Sequence, residues 1–205
     1  MTAVLNLNFH GIGAPTARDF GEGERGVWVT PALLEATLDA ARHRTDLTLS
    51  FDDGNTTDLE IVLPALTQRG LKATFFIVPD WLGAPGFITR ADVRTLAQNG
   101  MTIGNHGLAH RLWTELTQAE LAHEVTQGKS TLERLTDTEV STLAIPYGAY
   151  NDAVLDELRD HHHYEHVFTS DGGAADDTSW LQPREHLRAG QTPADLERLL
   201  GGLAL

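Results

Sequence analysis

The chain predicts an α/β fold in which a mostly parallel sheet of seven strands closes, or nearly closes, into a distorted (β/α) barrel with helices outside. Apolar runs of strand length alternate with longer amphipathic stretches along all 205 residues, the pattern of repeated strand–helix units. No internal repeat, low-complexity tract or compositional break marks a linker, so residues 1–205 read as one domain. At 41% hydrophobic residues, a domain of this length buries about 70% of its unfolded surface and needs no covalent staple.

The strands are expected at Val4 to Phe9, Leu47 to Phe51, Ala73 to Val78, Met101 to Asn105, Thr142 to Ile145, His166 to Thr169 and Trp180 to Gln182. Between them lie helices with readable ends. Pro31 to Arg42 starts at Thr30-Pro31, a cap followed by a first-turn proline, and Thr57 to Arg69 stops at Gly70. Arg90 to Asn99 is capped by Thr89 and stopped by Gly100, and Thr117-Gln-Ala-Glu120 is a capping box opening a helix to Leu135. Asp152 to Asp160 and Pro193 to Leu200, behind Thr192-Pro193, complete the set.

Composition narrows the chemistry. There is no cysteine, which excludes disulfides, thiolate metal sites and a cysteine nucleophile, so any metal must use histidine and carboxylate. Fifteen Lys and Arg against 29 Asp and Glu give a formal charge of −14, which disfavours nucleic acid and anionic lipid as partners. Met1 to His10 lacks the basic and long apolar regions of an export signal, and no apolar stretch is long enough to span a membrane. As written the chain reads as cytoplasmic; a chain already trimmed of its leader, secreted or periplasmic, would read the same.

In a barrel of this kind chemistry belongs at the C-terminal ends of the strands. Four predicted strand ends carry it: Asn8-Phe-His10-Gly, Ser50-Phe-Asp52-Asp53-Gly54, Gly104-Asn-His106-Gly-Leu-Ala-His110 and Ile145-Pro-Tyr147-Gly148. If Gly107 to His110 form one helical turn, the rings of His106 and His110 project on one side and can share an ion, with Asp53 completing a three-ligand face. Two imidazoles and one carboxylate leave coordination positions open for water and substrate, as catalytic metals require. Taken alone, H-x3-H also describes unrelated surface or core histidines, and Asp-Gly also closes strands as a simple turn. Adjacent strand residues point opposite ways, so one of Asp52 and Asp53 can bind the metal while the other addresses bound water.

These motifs, in this order, resemble the polysaccharide deacetylase family (NodB homology, carbohydrate esterase 4), and Lys72-Ala-Thr-Phe-Phe76 and Gly104-Asn-His106 are similar to its intervening strands. The resemblance spans roughly residues 4 to 188. It implies a distorted seven-stranded barrel, a divalent ion held by Asp53, His106 and His110, and Asp52 as general base. The ion implied is zinc first, with cobalt, nickel or manganese as alternatives. It further implies that Pro146 and Tyr147 line an acetyl pocket, the backbone N–H of Tyr147 helping to hold the oxyanion.

Two departures stand out. The family has an arginine two residues before the proline of Pro-Tyr, orienting the base, where this chain has Ala144; Arg184, beyond the last strand, is the candidate replacement. The C-terminal Leu-x-His element that supplies the general acid has no clear copy, whereas Val4 to His10 has the same form, as in circularly permuted members. His10 is therefore the expected acid and His186 the runner-up. Of the four tryptophans, Trp113 is the one expected to face substrate; His161-His162-His163 reads as a solvated cluster and Asp176-Asp177 as turn chemistry.

The expected activity is hydrolysis of an N-acetyl group on an amino sugar, the net charge favouring neutral over acidic polymers. Two other readings use the same residues: hydrolysis of a small non-sugar amide or imide, and a non-catalytic saccharide-binding module. A glycosidase, a serine hydrolase and a nucleotide-binding protein lack their motifs.

Overall fold

A computed structural model of the chain describes residues 3–14 and 22–202; the expected domain of 1–205 extends beyond the described residues at both ends and at 15–21. The sheet contains β1 (Ala3–Phe9), β2 (Leu47–Asp53), β3 (Thr74–Ile77), β4 (Thr102–Asn105), β5 (Thr142–Ala144), β6 (His166–Phe168), β7 (Ala175–Asp176), β8 (Leu181–Gln182) and β9 (Arg184–His186). Strands β1 to β6 pair in chain order, each parallel to the next. β8 pairs parallel with β6, and β9 pairs parallel with β1.

Only Pro183 separates β8 from β9, and a proline cannot donate to a ladder. The segment changes partner there: its first half extends the sixth strand, its second half pairs with the first, and the ring is closed to the extent these short ladders allow. Counted as one strand, it makes the seven that the sequence predicts. Its extent corrects the sequence reading, because Arg184 and His186 are strand residues and not part of a following loop. The short antiparallel β7, beside Ala3 and Val4, was not expected.

The helices are α1 (Glu22–Arg25), α2 (Pro31–Ala41), α3 (Leu63–Arg69), α4 (Arg90–Gln98), α5 (Gln118–Thr136), α6 (Asp152–His161) and α7 (Pro193–Gly201). Threonine caps start four of them as predicted, with reciprocal capping boxes at Thr89/Asp92, Thr117/Glu120 and Thr192/Asp195. The expected helix over Thr57 to Arg69 is split instead. It opens with a π-helical turn over Asp58–Val62 and becomes α-helical at Leu63, next to Pro64, whose missing N–H cannot make the ordinary i−4 bond. Gly70 closes it in the left-handed conformation, φ 67°.

Alternation along β1 and β2 builds two different faces. Leu5, Leu7 and Phe9 of β1, and Leu47, Leu49 and Phe51 of β2, pack outward into the hydrophobic layer under the helices, where the rings of Phe9, Phe51 and Phe75 stack at 5.0 and 5.2 Å. Asn6, Asn8, Ser50 and Asp52 point the other way and are buried polar residues inside the barrel. A second apolar cluster, including Leu143, Val154 and Val167, lies beneath α5 and α6.

Candidate active site

Strand ends, as expected, supply the polar residues of a cavity of about 510 Å³ at the C-terminal mouth of the barrel. His10, Asp52, Asp53, His106, His110, Tyr147, Arg184 and His186 all line it. Two groups can be distinguished.

The first is Asp53, His106 and His110. Asp53 Oδ1 lies 3.7 Å from Nε2 of His106 and 3.7 Å from Nε2 of His110. His106 Nδ1 is 2.8 Å from the carbonyl of Ala144, which fixes the proton on Nδ1 and leaves Nε2 as a bare lone pair facing the carboxylate. Burial lowers the pKa of both imidazoles, that of His110 to about 3, so both are neutral ligands at pH 7. One donor atom from each of the three residues lies within 4.8 Å of the others, which suits a divalent ion.

This convergence does not come from the geometry that the sequence predicts. Gly107 and His110 take positive φ, 76° and 56°, so the segment between the histidines is a turned loop and not a helical turn. Asp53 also has a positive φ, 79°, which breaks the strand alternation at its last residue. Its carboxylate therefore does not diverge from that of Asp52; both reach His106 Nε2, Asp52 Oδ2 at 3.8 Å. With Tyr147 at φ 59°, three of the five non-glycine residues of positive φ among the described residues stand at this one site.

The second group surrounds Asp52. Both Asp52 and Arg184 are 1% exposed, and Arg184 Nη1 and Nη2 donate to Asp52 Oδ1 and Oδ2, each at 2.8 Å. The guanidinium makes three further contacts. Nε donates to the Thr169 carbonyl at 3.2 Å, and Nη1 also approaches Asn8 Oδ1 at 3.1 Å and Ser50 Oγ at 3.2 Å. Its flat face lies over Phe76, 5.1 Å from the ring centre. Asn8 Nδ2 donates to Asp52 Oδ2 at 3.0 Å. Burial alone would push the Asp52 carboxyl up, but the positive field of Arg184, helped by His106 and His10, more than offsets it and holds the group well below the usual carboxylate range. Three donors on a carboxylate with about four acceptor positions leave room for one more.

His10 and His186 stand on the same side, ring centres 5.5 Å apart. Both nitrogens of His186 are engaged, Nδ1 with Asn8 Nδ2 at 3.3 Å and Nε2 with Ser170 Oγ at 2.8 Å. The buried Nδ1 of His10 has no hydrogen-bond partner among the described residues. Burial lowers His10 to about 4, only partly opposed by Asp52, and lowers His186 to about 3.

Two predicted substrate contacts are corrected. Trp113 is 1% exposed and packed with Leu121, Val125 and Leu143 in the second apolar cluster, because the turn after His110 folds it back under α5. The tryptophan on the cavity wall is Trp81, its ring 4.9 Å from that of His110. Pro146 is buried behind the cavity, and only Tyr147, 65% exposed, faces it, its ring 4.4 Å from His110. Sequence reading also passed over Asn8 and Ser50. Their signal is polarity at positions that alternate with Leu5, Leu7 and Phe9 in β1 and with Leu47, Leu49 and Phe51 in β2. In the triple histidine, His162 pairs with Glu157 at 3.1 Å, and Asp176 accepts from Thr178 in a turn.

The sequence profile described as polysaccharide deacetylase matches residues 39–166, well over half of the chain. The chain belongs to the polysaccharide deacetylase family. It is 28% identical over 131 residues to the peptidoglycan-N-acetylglucosamine deacetylase of Bacillus cereus, covering 61% of this chain and 46% of that protein. The curated relatives are longer, and the chain spans about half of their length or less. Among solved structures, the Streptococcus pyogenes deacetylase PplD in complex with acetate superposes with a TM-score of 0.82 at 18% identity, covering 96% of this chain and 97% of that one. IcaB from Ammonifex degensii superposes at 0.77 and 13% identity, with 96% of each chain covered. Both share the nearly closed barrel.

Proposed function

We propose that the chain is a metal-dependent amidohydrolase that removes N-acetyl groups from amino sugars in an oligo- or polysaccharide or conjugate. The observation that carries this reading is the buried bidentate Asp52–Arg184 pair set beside the Asp53, His106 and His110 donor set. It is a carboxylate held ionised next to a place for a cation, both open to one cavity. Family membership and relatives that act on peptidoglycan N-acetylglucosamine support the substrate class.

Asp53, His106 and His110 would hold the ion, zinc first and cobalt, nickel or manganese as alternatives, which when bound polarises the acetyl carbonyl and acidifies water. Asp52 accepts the proton of the attacking water on its remaining acceptor position, with Arg184 and Asn8 fixing its orientation. The N–H of Tyr147 donates to the oxyanion, a donor worth about 3 to 4 kcal/mol where one has been removed elsewhere. His10 hands a proton to the departing nitrogen. Because burial keeps His10 neutral at pH 7, the proton it hands on is the one that Asp52 has taken from the attacking water and passes to the imidazole, which returns Asp52 to its ionised form. Its partnerless Nδ1 favours it over the fully bonded His186. Acetate and a free amine leave.

Acetate release from N-acetylated chito-oligomers, with cyclic imides and ureides as comparison, tests the reading, alongside elemental analysis of the purified protein. Asp52→Asn should retain the metal and lose about 10²- to 10⁴-fold in turnover. Turnover of imides alone, or sugar binding by metal-loaded protein without acetate release, would replace this function with another.

A further inference from the structure

We infer that Ser170 is a substrate-binding residue whose hydroxyl is committed to donating its hydrogen to a hydroxyl oxygen of the sugar, and that Asn8 and His186 are the positioning residues that commit it. The inference rests on the deacetylase reading for the presence and placement of a sugar and extends it to a contact with that sugar.

Arg184, Asn8, His186 and Ser170 form a line of hydrogen bonds from the barrel interior to the cavity, and the direction of each bond follows from the one before. Arg184 only donates, so the Asn8 atom 3.1 Å from its Nη1 is the amide oxygen, which also accepts from Ser50 Oγ at 2.9 Å. The other end of the amide is then the nitrogen. Its two hydrogens go to Asp52 Oδ2 at 3.0 Å and to His186 Nδ1 at 3.3 Å, which makes Nδ1 an acceptor. Burial, helped by the charge of Arg184, lowers the pKa of His186 to about 3 and keeps the ring neutral, so its single N–H is on Nε2. Nε2 lies 2.8 Å from Ser170 Oγ and donates to it.

This direction excludes Ser170 as a nucleophile activated by histidine, because the nitrogen that would take its proton already carries one. The hydrogen of Ser170 points away from His186, and its Oγ makes no other hydrogen bond among the described residues. Ser170 lines the cavity and is half-buried. The turn after Tyr147 confines the hydroxyl from the other side: a Cβ at Gly148 would stand 2.3 Å from Ser170 Oγ, and Gly148 has a φ of 62°. One oriented donor is therefore available to a ligand without the loss of a protein contact.

The sugar lies within reach of this wall. The His186 ring is 5.5 Å from that of His10, the residue assigned to the departing nitrogen, and the sugar carries that nitrogen. In the proposed function the acetyl oxygen already has the Tyr147 N–H and the ion. The acceptor left for Ser170 is a hydroxyl oxygen, which a sugar presents on every edge.

The test has two arms. In zinc-loaded protein, long-range proton–nitrogen correlation spectra, with His186→Ala to assign the ring, should show His186 as the Nε2–H tautomer. The same tautomer should persist in Ser170→Ala, because Asn8 sets it; an Nδ1–H tautomer in the wild type overturns the inference. In the second arm, binding by calorimetry and acetate release are measured with N,N′-diacetylchitobiose and its single-deoxy analogues, each lacking one hydroxyl. Ser170→Ala should weaken the parent sugar about 2- to 10-fold and leave unchanged the binding of the analogue that lacks the contacted oxygen. Equal losses on every probe, or no loss, overturn the inference. If the sugars bind through Ser170 but none releases acetate, the deacetylase reading fails and the contact stands; acetate release that Ser170→Ala does not alter, with binding unchanged, has the opposite meaning.

Discussion

The two halves of the candidate site are built in different ways. The β2 and β4 half, Asp53 with His106 and His110, comes from two short motifs whose residues are neighbours in sequence, on strands each paired to β3. The β1 and β9 half comes from the ends of the chain: Arg184 meets Asp52 across 132 positions and Asn8 across 176. The first half depends on local backbone conformations of positive φ. The second depends on ring closure at Pro183. One half can be read as a motif; the other exists only when the barrel is assembled.

The largest expected effect breaks the first half alone. On the proposed function His106→Ala removes a ligand, so metal content by elemental analysis and acetate release should both fall, the latter by about 10³-fold or more. Unchanged metal content would mean that the ion is held elsewhere.

Arg184→Met breaks the second half and should separate from it. Metal is retained, but Asp52 is left buried without its counter-charge, which costs about 3 to 5 kcal/mol in denaturant unfolding. The sign for activity follows from the cause: without Arg184, burial dominates and raises the Asp52 pKa, so the acidic limb of the pH–rate profile moves to higher pH. A profile that stays in place would remove Arg184 from the positioning of the base.

His10→Ala sharpens the contrast inside the second half. Amide substrates should lose about 10²- to 10⁴-fold, whereas activated aryl acetates, whose leaving groups need no proton, should lose far less; His186→Ala should spare both by comparison. Equal losses on amide and ester would end the acid role of His10. The smallest effect distinguishes the two tryptophans. Trp81→Ala should raise KM about 2- to 10-fold with little change in melting temperature, as for a lost stacking contact. Trp113→Ala should instead destabilise by about 3 to 5 kcal/mol.

The legibility of each part follows its range of interaction. Helix ends were readable because a cap is decided within a few residues, as at Thr89 with Asp92 or Thr117 with Glu120. Strands β1 to β6 are readable because short apolar or alternating runs are bounded by turn and cap signals. The closing strand was cut short at Gln182, since a proline inside Gln182-Pro-Arg-Glu-His186 reads as the end of a strand when it is the point where the strand changes neighbours. The sequence does not place Trp113, because an aromatic residue near His110 can turn either to the cavity or to the core, and the choice lies with packing against Leu121 and Val125 of α5 and Leu143 of β5.

By itself the sequence determined the α/β order, the absence of thiolate chemistry, and which side chains could hold a cation, because these depend on residue type and short spacing. The tertiary structure alone decided that Asp52 and Asp53 converge, that Arg184 pairs with Asp52, and that among the described residues His10 keeps an unpartnered nitrogen and His186 does not. Each of those is an interaction in a low-dielectric interior, set by distances of a few ångström between strands remote in sequence, and no local pattern of residues encodes such a distance.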